Sequence, residues 1–328
     1  MKRYDVVGVG NALVDVLSHC DDAFLDANGV EKGIMTLIDT DRAKELYGAM
    51  GPAKEISGGS AANTIAGVAM LGGKTAYVGK VRDDQLGQIF GHDIRAIGAD
   101  FDTFGAASDE LETGRCMVLV SPDGERSMST YLGMSESLGP DDIDTAMMGD
   151  TEWLYLEGYR FDGAQSVAAF DKAIAACKTG GGKVSITLSD PFCVERHRDA
   201  FRALIANHTS LLFANEHELM SLYQTEELDE ALVKCAKDVE IGAITVGAKG
   251  AYVVTKNETI HVPTAATKVV DATGAGDMFA AGFLAGLTQG KDLTTCASMG
   301  CVAAGEIISH IGARPETDLN KLMAERGL

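Results

Sequence analysis

The chain has 328 residues, of which 46% are hydrophobic and 23% charged, and a formal net charge of −20 at pH 7. This composition predicts a folded protein with a sizeable core rather than a disordered one, and the negative charge makes nucleic acids and anionic membrane surfaces poor partners. The seven cysteines form no CxxC pair, and Asp5 and Asp15 interrupt the apolar stretch near the N-terminus, so we expect a reduced, cytoplasmic protein without a zinc site, a disulfide framework or a membrane span.

Apolar runs alternate with amphipathic helical patterns along most of the chain. The runs typical of buried strands are residues 5–10, 76–81 and 183–188, and the helical patterns are residues 61–71, 85–97, 164–177 and 200–207. Continuous apolar strands that alternate with helices indicate a mainly parallel sheet covered on both faces. We therefore predict an α/β body.

Asn11 and Asp15 follow the first predicted strand. Their amide and carboxylate groups are suited to hydrogen-bond neighbouring hydroxyls of a sugar. Gly8 and Gly10 also begin a dinucleotide-binding pattern, but Leu13 stands where its third glycine belongs. A solvated carboxylate at a strand end is the other interpretation of Asp15.

Three segments, residues 12–18, 33–39 and 113–132, break the α/β rhythm. The sequence SPDGE at 121–125 is a turn signal between two alternating runs, so residues 115–120 and 126–131 are predicted to form a hairpin. We expect these segments to form a small β-sheet lid inserted into one domain that spans residues 1–328. Arg126, which begins the second hairpin strand, is either a solvated edge charge or within reach of a transferred phosphoryl group.

Two shorter motifs are ambiguous when taken alone. Asn215 and Glu218 follow a strand-like run and lie on one helix face, a spacing that favours a capping Asn with a first-turn Glu. Residues 245–250 are typical of a hairpin turn after a strand at 242–244. The sequence GGSAAN at 58–63 is typical of a turn before a helix.

The strongest motif is DATGAGD at residues 271–277, between a strand-like segment at 268–270 and an apolar helix. A glycine loop at a helix N-terminus directs unpaired N–H groups at one point and favours an anion. Gly274 and Gly276 let a phosphate approach the backbone closely. Asp277 would repel a resting phosphate but can accept the proton of an attacking hydroxyl. The alternative is a carboxylate that only stabilises the first helical turn.

The motif at 271–277 resembles the signature of the ribokinase-like carbohydrate kinases, a family that includes ribokinase, fructokinase and adenosine kinase. The GGSAAN segment is similar to the family's N-terminal signature, in which the paired glycines form a hinge below a lid. The similarities extend from Asn11 to about Pro315. They imply a three-layer α/β/α body with a mainly parallel sheet and a small β-sheet lid.

The resemblance also implies roles for residues at matching positions, with ATP as the phosphoryl donor. The implied catalytic group contains Asp277, Gly274, Ala275 and Gly276. The expected substrate-binding group contains Asn11, Asp15, Gly58, Gly59, Asn63 and, for the transferred phosphoryl group, Arg126. The implied ATP-binding group contains Asn215, Thr245, Gly247, Gly250, Thr273, Gly274 and Gly276. Glu218 is implied to hold magnesium through water, and residues 303–312 resemble a segment that covers the adenine of ATP and helps hold a monovalent cation such as potassium in many relatives.

Residues 126–132 and 188–192 look more like the adenosine kinase branch than like ribokinase or fructokinase. A nucleoside needs an apolar slot for its base. Side chains expected either to form its walls or to form the core of the lid are Leu13, Met35, Leu37, Met117, Tyr131 and Phe161. The expected activity is therefore adenosine phosphorylation by a monomer or homodimer, with another pentose or hexose kinase, or a non-catalytic sensor of nucleosides or sugars, as alternatives.

Overall fold

The computed structural model describes residues 2–105 and 110–328 as an α/β protein. The strands, numbered along the chain, are β1 (Tyr4–Val9), β2 (Leu13–His19), β3 (Met35–Leu37), β4 (Lys54–Gly58), β5 (Thr75–Val78), β6 (Val81–Arg82), β7 (Ala99–Asp100), β8 (Phe104–Gly105), β9 (Gly114–Val120), β10 (Arg126–Tyr131), β11 (Thr151–Glu157), β12 (Lys183–Thr187), β13 (Leu211–Asn215), β14 (Ile241–Thr245), β15 (Ala251–Val254) and β16 (Thr259–Val262). The helices are α1 (Asp22–Ala27), α2 (Thr40–Ala49), α3 (Ser60–Met70), α4 (Gln85–Ala96), α5 (Thr145–Gly149), α6 (Ser166–Thr179), α7 (Pro191–His208), α8 (Glu216–Tyr223), α9 (Leu228–Asp238), α10 (Ala275–Thr288), α11 (Leu293–Ile307) and α12 (Leu319–Glu325).

The large sheet has the strand order β16-β15-β14-β13-β12-β11-β1-β5-β7. The strands from β14 to β7 run parallel, whereas β15 and β16 add an antiparallel hairpin at one edge. Parallel strands end at the same edge of a sheet, and ligands of α/β proteins usually bind beyond those carboxyl ends. The predicted mainly parallel sheet is thus confirmed, and it sets one edge of the molecule apart as the place for a site.

Helices cover both faces of the large sheet, as the apolar strands require. Val6 and Val7 of β1 point to opposite faces, and both are fully buried. One core packs under α3, α4, α10, α11 and α12, with Phe90 and Phe283 among its large side chains. The other packs under α5 to α9, around Phe170 and other apolar residues. These layers confirm the predicted α/β/α arrangement.

A second, smaller sheet has the order β3-β10-β9-β2-β4. The predicted hairpin is confirmed, because β9 and β10 pair antiparallel, with Val118 opposite Met128. The back of this small sheet packs against α1 and α2. One strand of this small sheet lies outside the predicted lid segments: β4 pairs antiparallel with β2 at the edge of the sheet and brings Gly58 opposite Leu13. A separate two-stranded sheet joins β6 and β8.

The segment before α10 differs from the prediction. Residues 268–270 do not form a strand, and the side chains of Val269 and Val270 are exposed. Helix α10 begins instead from an irregular segment, with Gly274 as its N-cap at φ 79°. Two apolar residues in a row were a misleading signal, because neither of them packs in a core. None of the helices in the described ranges combines the length and apolarity that a membrane crossing requires.

Candidate active site

A cavity of about 580 Å³ lies between the small sheet and the carboxyl ends of β1 and β11 to β14. The parallel strands direct their terminal residues toward the same edge, and the small sheet forms the opposite wall. Among the predicted site residues, those that line the cavity are Asn11, Asp15, Gly59, Asn63, Asn215, Glu218, Thr245, Gly247, Thr273, Gly274, Ala275, Gly276 and Asp277. The fold therefore brings together residues more than 250 positions apart.

Asp277, in the first turn of α10, is held by two residues of α3. Its Oδ1 accepts a hydrogen bond from the Ser60 hydroxyl at 2.6 Å, and its Oδ2 accepts one from Asn63 Nδ2 at 3.0 Å. Burial raises the pKa of Asp277 to about 6, against the two hydrogen bonds, which favour the charged form. A carboxylate with a pKa near neutrality is suited to accept a proton from a hydroxyl. Ser60 was not among the predicted site residues.

The two helices that supply these residues begin differently from most others in the chain. Asp or Asn side chains cap α1, α2, α4, α5, α7, α8, α11 and α12. Helices α3 and α10 instead begin after Gly59 and Gly274, with φ of 97° and 79° and no side-chain cap. These conformations favour glycine. The N-terminal amides of both helices are thereby left for other acceptors.

At the predicted anion site at the start of α10, one amide is already paired and its neighbours are not. The N–H of Ala275 donates to the Ala272 carbonyl at 3.2 Å. In the described part of the chain, the N–H groups of Gly274, Gly276 and Asp277 have no hydrogen-bond partner. A Cβ on Gly276 would meet no atom within 4 Å, so space remains beside the backbone there. The amides of Gly274 and Gly276 are the donors that an anion would find.

Arg126 forms a buried ion pair with Asp271 and is not a solvated edge charge. Arg126 Nη2 lies 2.5 Å from Asp271 Oδ2, and the two side chains are 8% and 3% exposed. Asp271 also accepts hydrogen bonds from the N–H groups of Thr273 at 3.0 Å and Gly312 at 2.9 Å. This pair connects β10 of the small sheet to the glycine loop before α10. Arg126 does not line the cavity itself.

Asn11 lies in a buried polar network that sequence reasoning missed. Its Nδ2 donates to Glu157 Oε1 at 2.9 Å, and its Oδ1 accepts from Arg160 Nη1 at 3.0 Å and from the Ser135 hydroxyl at 2.9 Å. Glu157 Oε2 accepts from the N–H of Ala61 at 2.9 Å, at the start of α3. Burial raises the pKa of Glu157 to about 7. The position of Glu157 at the carboxyl end of a parallel strand was the one signal that could have pointed to it.

Asp15 also faces the cavity, and its position depends on Gly58. A Cβ on Gly58 would lie 2.4 Å from the Asp15 carboxyl group, so a side chain there would displace the carboxylate. Burial raises the pKa of Asp15 to about 7, while Arg314 lowers it most strongly among the neighbouring charges. Arg314, another residue that was not predicted, donates from Nη1 to the Ala62 carbonyl at 2.9 Å. Burial lowers the pKa of Arg314 to about 10.

Asn215 and Glu218 form a reciprocal capping box at the start of α8. Asn215 Oδ1 accepts from the N–H of Glu218 at 2.8 Å, and Glu218 Oε2 accepts from the N–H of Asn215 at 2.9 Å. Burial raises the pKa of Glu218 to about 7. Among the described residues, no group of three or more His, Cys, Asp or Glu side chains could hold a metal ion. Glu218 is a single carboxylate at the cavity whose two oxygens already accept hydrogen bonds from Asn215, and such a group fits a magnesium ion that is bound mostly by phosphate and water.

The turn after β14 places Thr245 and Gly247 at the cavity but not Gly250. Gly250 has φ 97°, and a Cβ there would lie 2.1 Å from the Val262 carbonyl oxygen. It serves the turn between β14 and β15, where the hairpin leaves no room for a side chain. The prediction that Gly250 contacts the nucleotide is therefore not supported by its position.

The apolar wall of the cavity consists partly of other residues than those predicted. Leu13, Met35 and Leu37 do line it. Met117 and Tyr131 pack against α1 and α2 on the back of the small sheet, and Phe161 packs against Phe170 and Phe201. Because side chains alternate along a strand, the residues on the other face of β9 and β10 face the cavity instead. These wall residues are Cys116, Val118, Met128, Thr130 and Leu132.

Comparisons with known proteins find relatives that match almost the whole chain. Among solved structures, the chain is similar to a probable sugar kinase protein from Rhizobium etli CFN 42, with 46% identity, a TM-score of 0.94 and coverage of 100% of this chain and 99% of that one. It is also similar to the adenosine kinase from Sinorhizobium meliloti, with 45% identity, a TM-score of 0.92 and coverage of 99% and 100%. The adenosine kinase of Saccharomyces cerevisiae is 27% identical over 330 residues, which cover 94% of this chain and 95% of that protein.

The family model described as pfkB family carbohydrate kinase matches residues 28–319, which is most of the chain. The matched region contains β3 to β16, both glycine-capped helices and Asp277. The resemblance to ribokinase-like kinases is thereby confirmed. The chain belongs to the pfkB family of carbohydrate kinases, ATP-dependent phosphotransferases whose acceptor is a hydroxyl group.

Proposed function

We propose that this kinase transfers the terminal phosphoryl group of ATP to the primary hydroxyl of a ribose-containing small molecule, and that its acceptor is adenosine, which gives AMP. The observation that carries the proposal is the two-sided cavity. Asp277 and Asp15, the latter on strand β2 of the small sheet, lie on its polar side, and strands β9 and β10 of that sheet contribute the apolar wall of Cys116, Val118 and Met128.

The apolar wall favours a nucleoside over a free sugar. A pentose or hexose carries hydroxyls on most of its edges, and hydroxyls placed against an apolar wall would lose their hydrogen bonds to water without replacement. A nucleoside is polar at its ribose and apolar on the faces of its base. The relatives from S. meliloti and S. cerevisiae, both named adenosine kinase, support the same choice.

The polar side offers groups for the ribose hydroxyls. The Asp15 carboxylate can accept hydrogen bonds from neighbouring hydroxyls. Asn63 donates to Asp277 through Nδ2, and among the described residues its buried Oδ1 has no hydrogen-bond partner. The unpaired Oδ1 of Asn63, beside the Asp277 carboxylate, needs a hydrogen-bond donor. A hydroxyl of the substrate supplies one. Asn11 has one remaining N–H, because Glu157 takes the other.

The reaction follows from the position of Asp277. The substrate hydroxyl oxygen forms a bond to the γ-phosphorus, its proton moves to the Asp277 carboxylate, and the bond between the γ-phosphorus and ADP breaks with its electron pair on ADP. The N–H groups of Gly274 and Gly276, at the start of α10, stabilise the charge on the transferred phosphoryl group. Ser60 and Asn63 hold the carboxylate in place between two hydrogen bonds.

ATP would lie along the part of the cavity bounded by Asn215, Thr245, Gly247 and Thr273. Magnesium, when bound, neutralises charge on the ATP phosphates. In this proposal Glu218 contacts the ion through water, because each of its carboxylate oxygens already accepts one hydrogen bond from Asn215. Loss of the Glu218 carboxylate would also remove the reciprocal hydrogen bond that caps α8.

The test is ADP release with ATP and magnesium across adenosine, inosine, ribose, fructose and 2-keto-3-deoxygluconate. We expect the highest kcat/KM with adenosine. The Asp277→Asn variant is assayed in parallel. ADP release that persists at the wild-type rate in this variant does not come from the proposed site. Preference for a free sugar would contradict the adenosine assignment and leave the kinase activity and its base in place.

A further inference from the structure

Asp15, Cys116 and Thr130 form a row across the cavity face of the small sheet. Asp15 of β2 is the register partner of Cys116 of β9, and Cys116 is the register partner of Thr130 of β10. Register partners on neighbouring strands point to the same face, and all three residues line the cavity. The row therefore runs from a carboxylate, across a thiol, to a hydroxyl.

The length of the row matches one nucleoside. Neighbouring strands are about 4.8 Å apart, so the backbones of Asp15 and Thr130 are separated by about 10 Å. That distance is comparable to the distance from the ribose hydroxyls of a nucleoside to the far edge of its base. A molecule whose hydroxyls contact Asp15 and whose base crosses Cys116 would reach Thr130 with the edge of the base. A free pentose has no base to cross Cys116 and so lacks the part that would reach Thr130.

The Thr130 hydroxyl is placed to accept a hydrogen bond. It donates its hydrogen to Cys116 Sγ at 3.3 Å, and the residue is only 6% exposed. With the hydrogen directed at the sulfur, the lone pairs of Oγ1 remain for a donor. The rest of this wall contains the apolar side chains of Val118 and Met128. Thr130 is thus the polar group of the wall at the end opposite Asp15.

We propose that Thr130 is a specificity-determining residue that accepts a hydrogen bond from the exocyclic amine of a 6-aminopurine nucleoside. The inference rests on the proposed adenosine kinase activity and adds the group that recognises the base. It predicts a preference for adenosine over purine riboside, which has the same ring and ribose but no amine. One hydrogen bond of this kind corresponds to a preference of about tenfold in kcat/KM.

The experiment compares adenosine with purine riboside in the wild type and in Thr130→Val, which keeps the shape of the side chain and removes its hydroxyl. We expect the variant to lose the wild-type preference, with the change for adenosine in KM rather than in kcat, because the bond forms equally in the ground state and the transition state. Thr130→Ser, which retains the hydroxyl, should keep the preference. Ser129→Ala serves as a matched control, since Ser129 lies on the opposite face of the same strand.

The possible outcomes distinguish a failure of the Thr130 assignment from a failure of the proposed adenosine kinase activity. If the wild type phosphorylates adenosine and Thr130→Val shows the same adenosine preference as the wild type, the assignment of Thr130 is wrong while the kinase assignment stands. If the wild type phosphorylates free sugars but neither nucleoside, both are wrong. A thermal denaturation curve for each variant identifies any general loss of folding, which would lower kcat/KM for both nucleosides alike and leave their ratio unchanged.

Discussion

The hydroxyl of Ser60 lies 2.6 Å from Oδ1 of Asp277, although the two residues are 217 positions apart in the chain. The bond joins the first residue of α3 to the first turn of α10. Each helix begins at a glycine without a side-chain cap. The two N-termini meet beside the cavity, with the Asp277 carboxylate between them. The contact orients the carboxylate that is proposed to take the proton, and it lowers the pKa of Asp277 against the larger effect of burial.

Replacing Asp277 with Asn should lower kcat by roughly two to four orders of magnitude, the usual range for loss of a general base. The amide can still accept a hydrogen bond from Ser60, and Asn63 can turn its unpaired Oδ1 toward the new NH₂ group. The fold and ATP binding should therefore persist, which equilibrium binding of ATP measures. Turnover close to that of the wild type would contradict the role of Asp277 as the base.

Replacing Ser60 with Ala should shift the acidic limb of the pH–kcat/KM profile to higher pH. The hydrogen bond from Ser60 favours the ionised carboxylate, so its loss raises the pKa of Asp277 above about 6. The base must be ionised to act, so the variant should lose activity first on the acidic side and recover part of it at higher pH. A profile that is lower at every pH but not shifted would indicate that Ser60 only positions the carboxylate.

Local patterns in the sequence were sufficient to predict the glycine turns, the polar residues at the strand ends and the hairpin of β9 and β10. The motif at 271–277 placed an acid in the first turn of a helix, and the structure places Asp277 there. Edge strand β4 was missed because its sequence, KEISG, has one apolar side chain and no alternation that a buried face would impose. Short edge strands leave little trace in composition.

The faces of the small sheet and the buried charges required tertiary information. The alternation in β9 and β10 shows that two sets of residues face opposite sides, but not which set faces the cavity, and a shift of one residue exchanges Met117 for Cys116. Glu157 and Arg160 are buried because each binds Asn11, which is 146 and 149 positions away. Nothing near these residues in the chain indicates such partners.

Replacing Gly58 with Ala should weaken binding of the acceptor. The new Cβ would lie 2.4 Å from the Asp15 carboxyl group, which must move away from its place at the cavity. We expect KM for adenosine to rise about tenfold, the effect of losing one good hydrogen bond, with a smaller change in KM for ATP. Gly48→Ala is the matched control, because a Cβ at Gly48 meets nothing within 4 Å. Equal KM values for adenosine in the two variants would argue against a sugar-binding role for Asp15.

Removing either member of the Arg126–Asp271 pair should destabilise the protein more than removing both. Arg126→Met leaves a buried carboxylate without its counter-ion, which costs about 3 to 5 kcal/mol in the free energy of unfolding. Asp271→Asn leaves the buried guanidinium unpaired. In the double variant neither charge remains, so part of that loss should be recovered. Urea denaturation of the wild type, both single variants and the double variant measures the coupling energy.

This pair is also a physical connection between the small sheet and the glycine loop before α10, because Asp271 accepts hydrogen bonds from both Thr273 and Gly312. If the connection positions the loop, the double variant should regain stability without regaining kcat, since Met and Asn cannot hold the loop to β10 as the ion pair does. Recovery of both quantities would show that the pair contributes only to stability. Additive losses of stability in the double variant would show that the two side chains act independently and that their 2.5 Å contact carries no coupling.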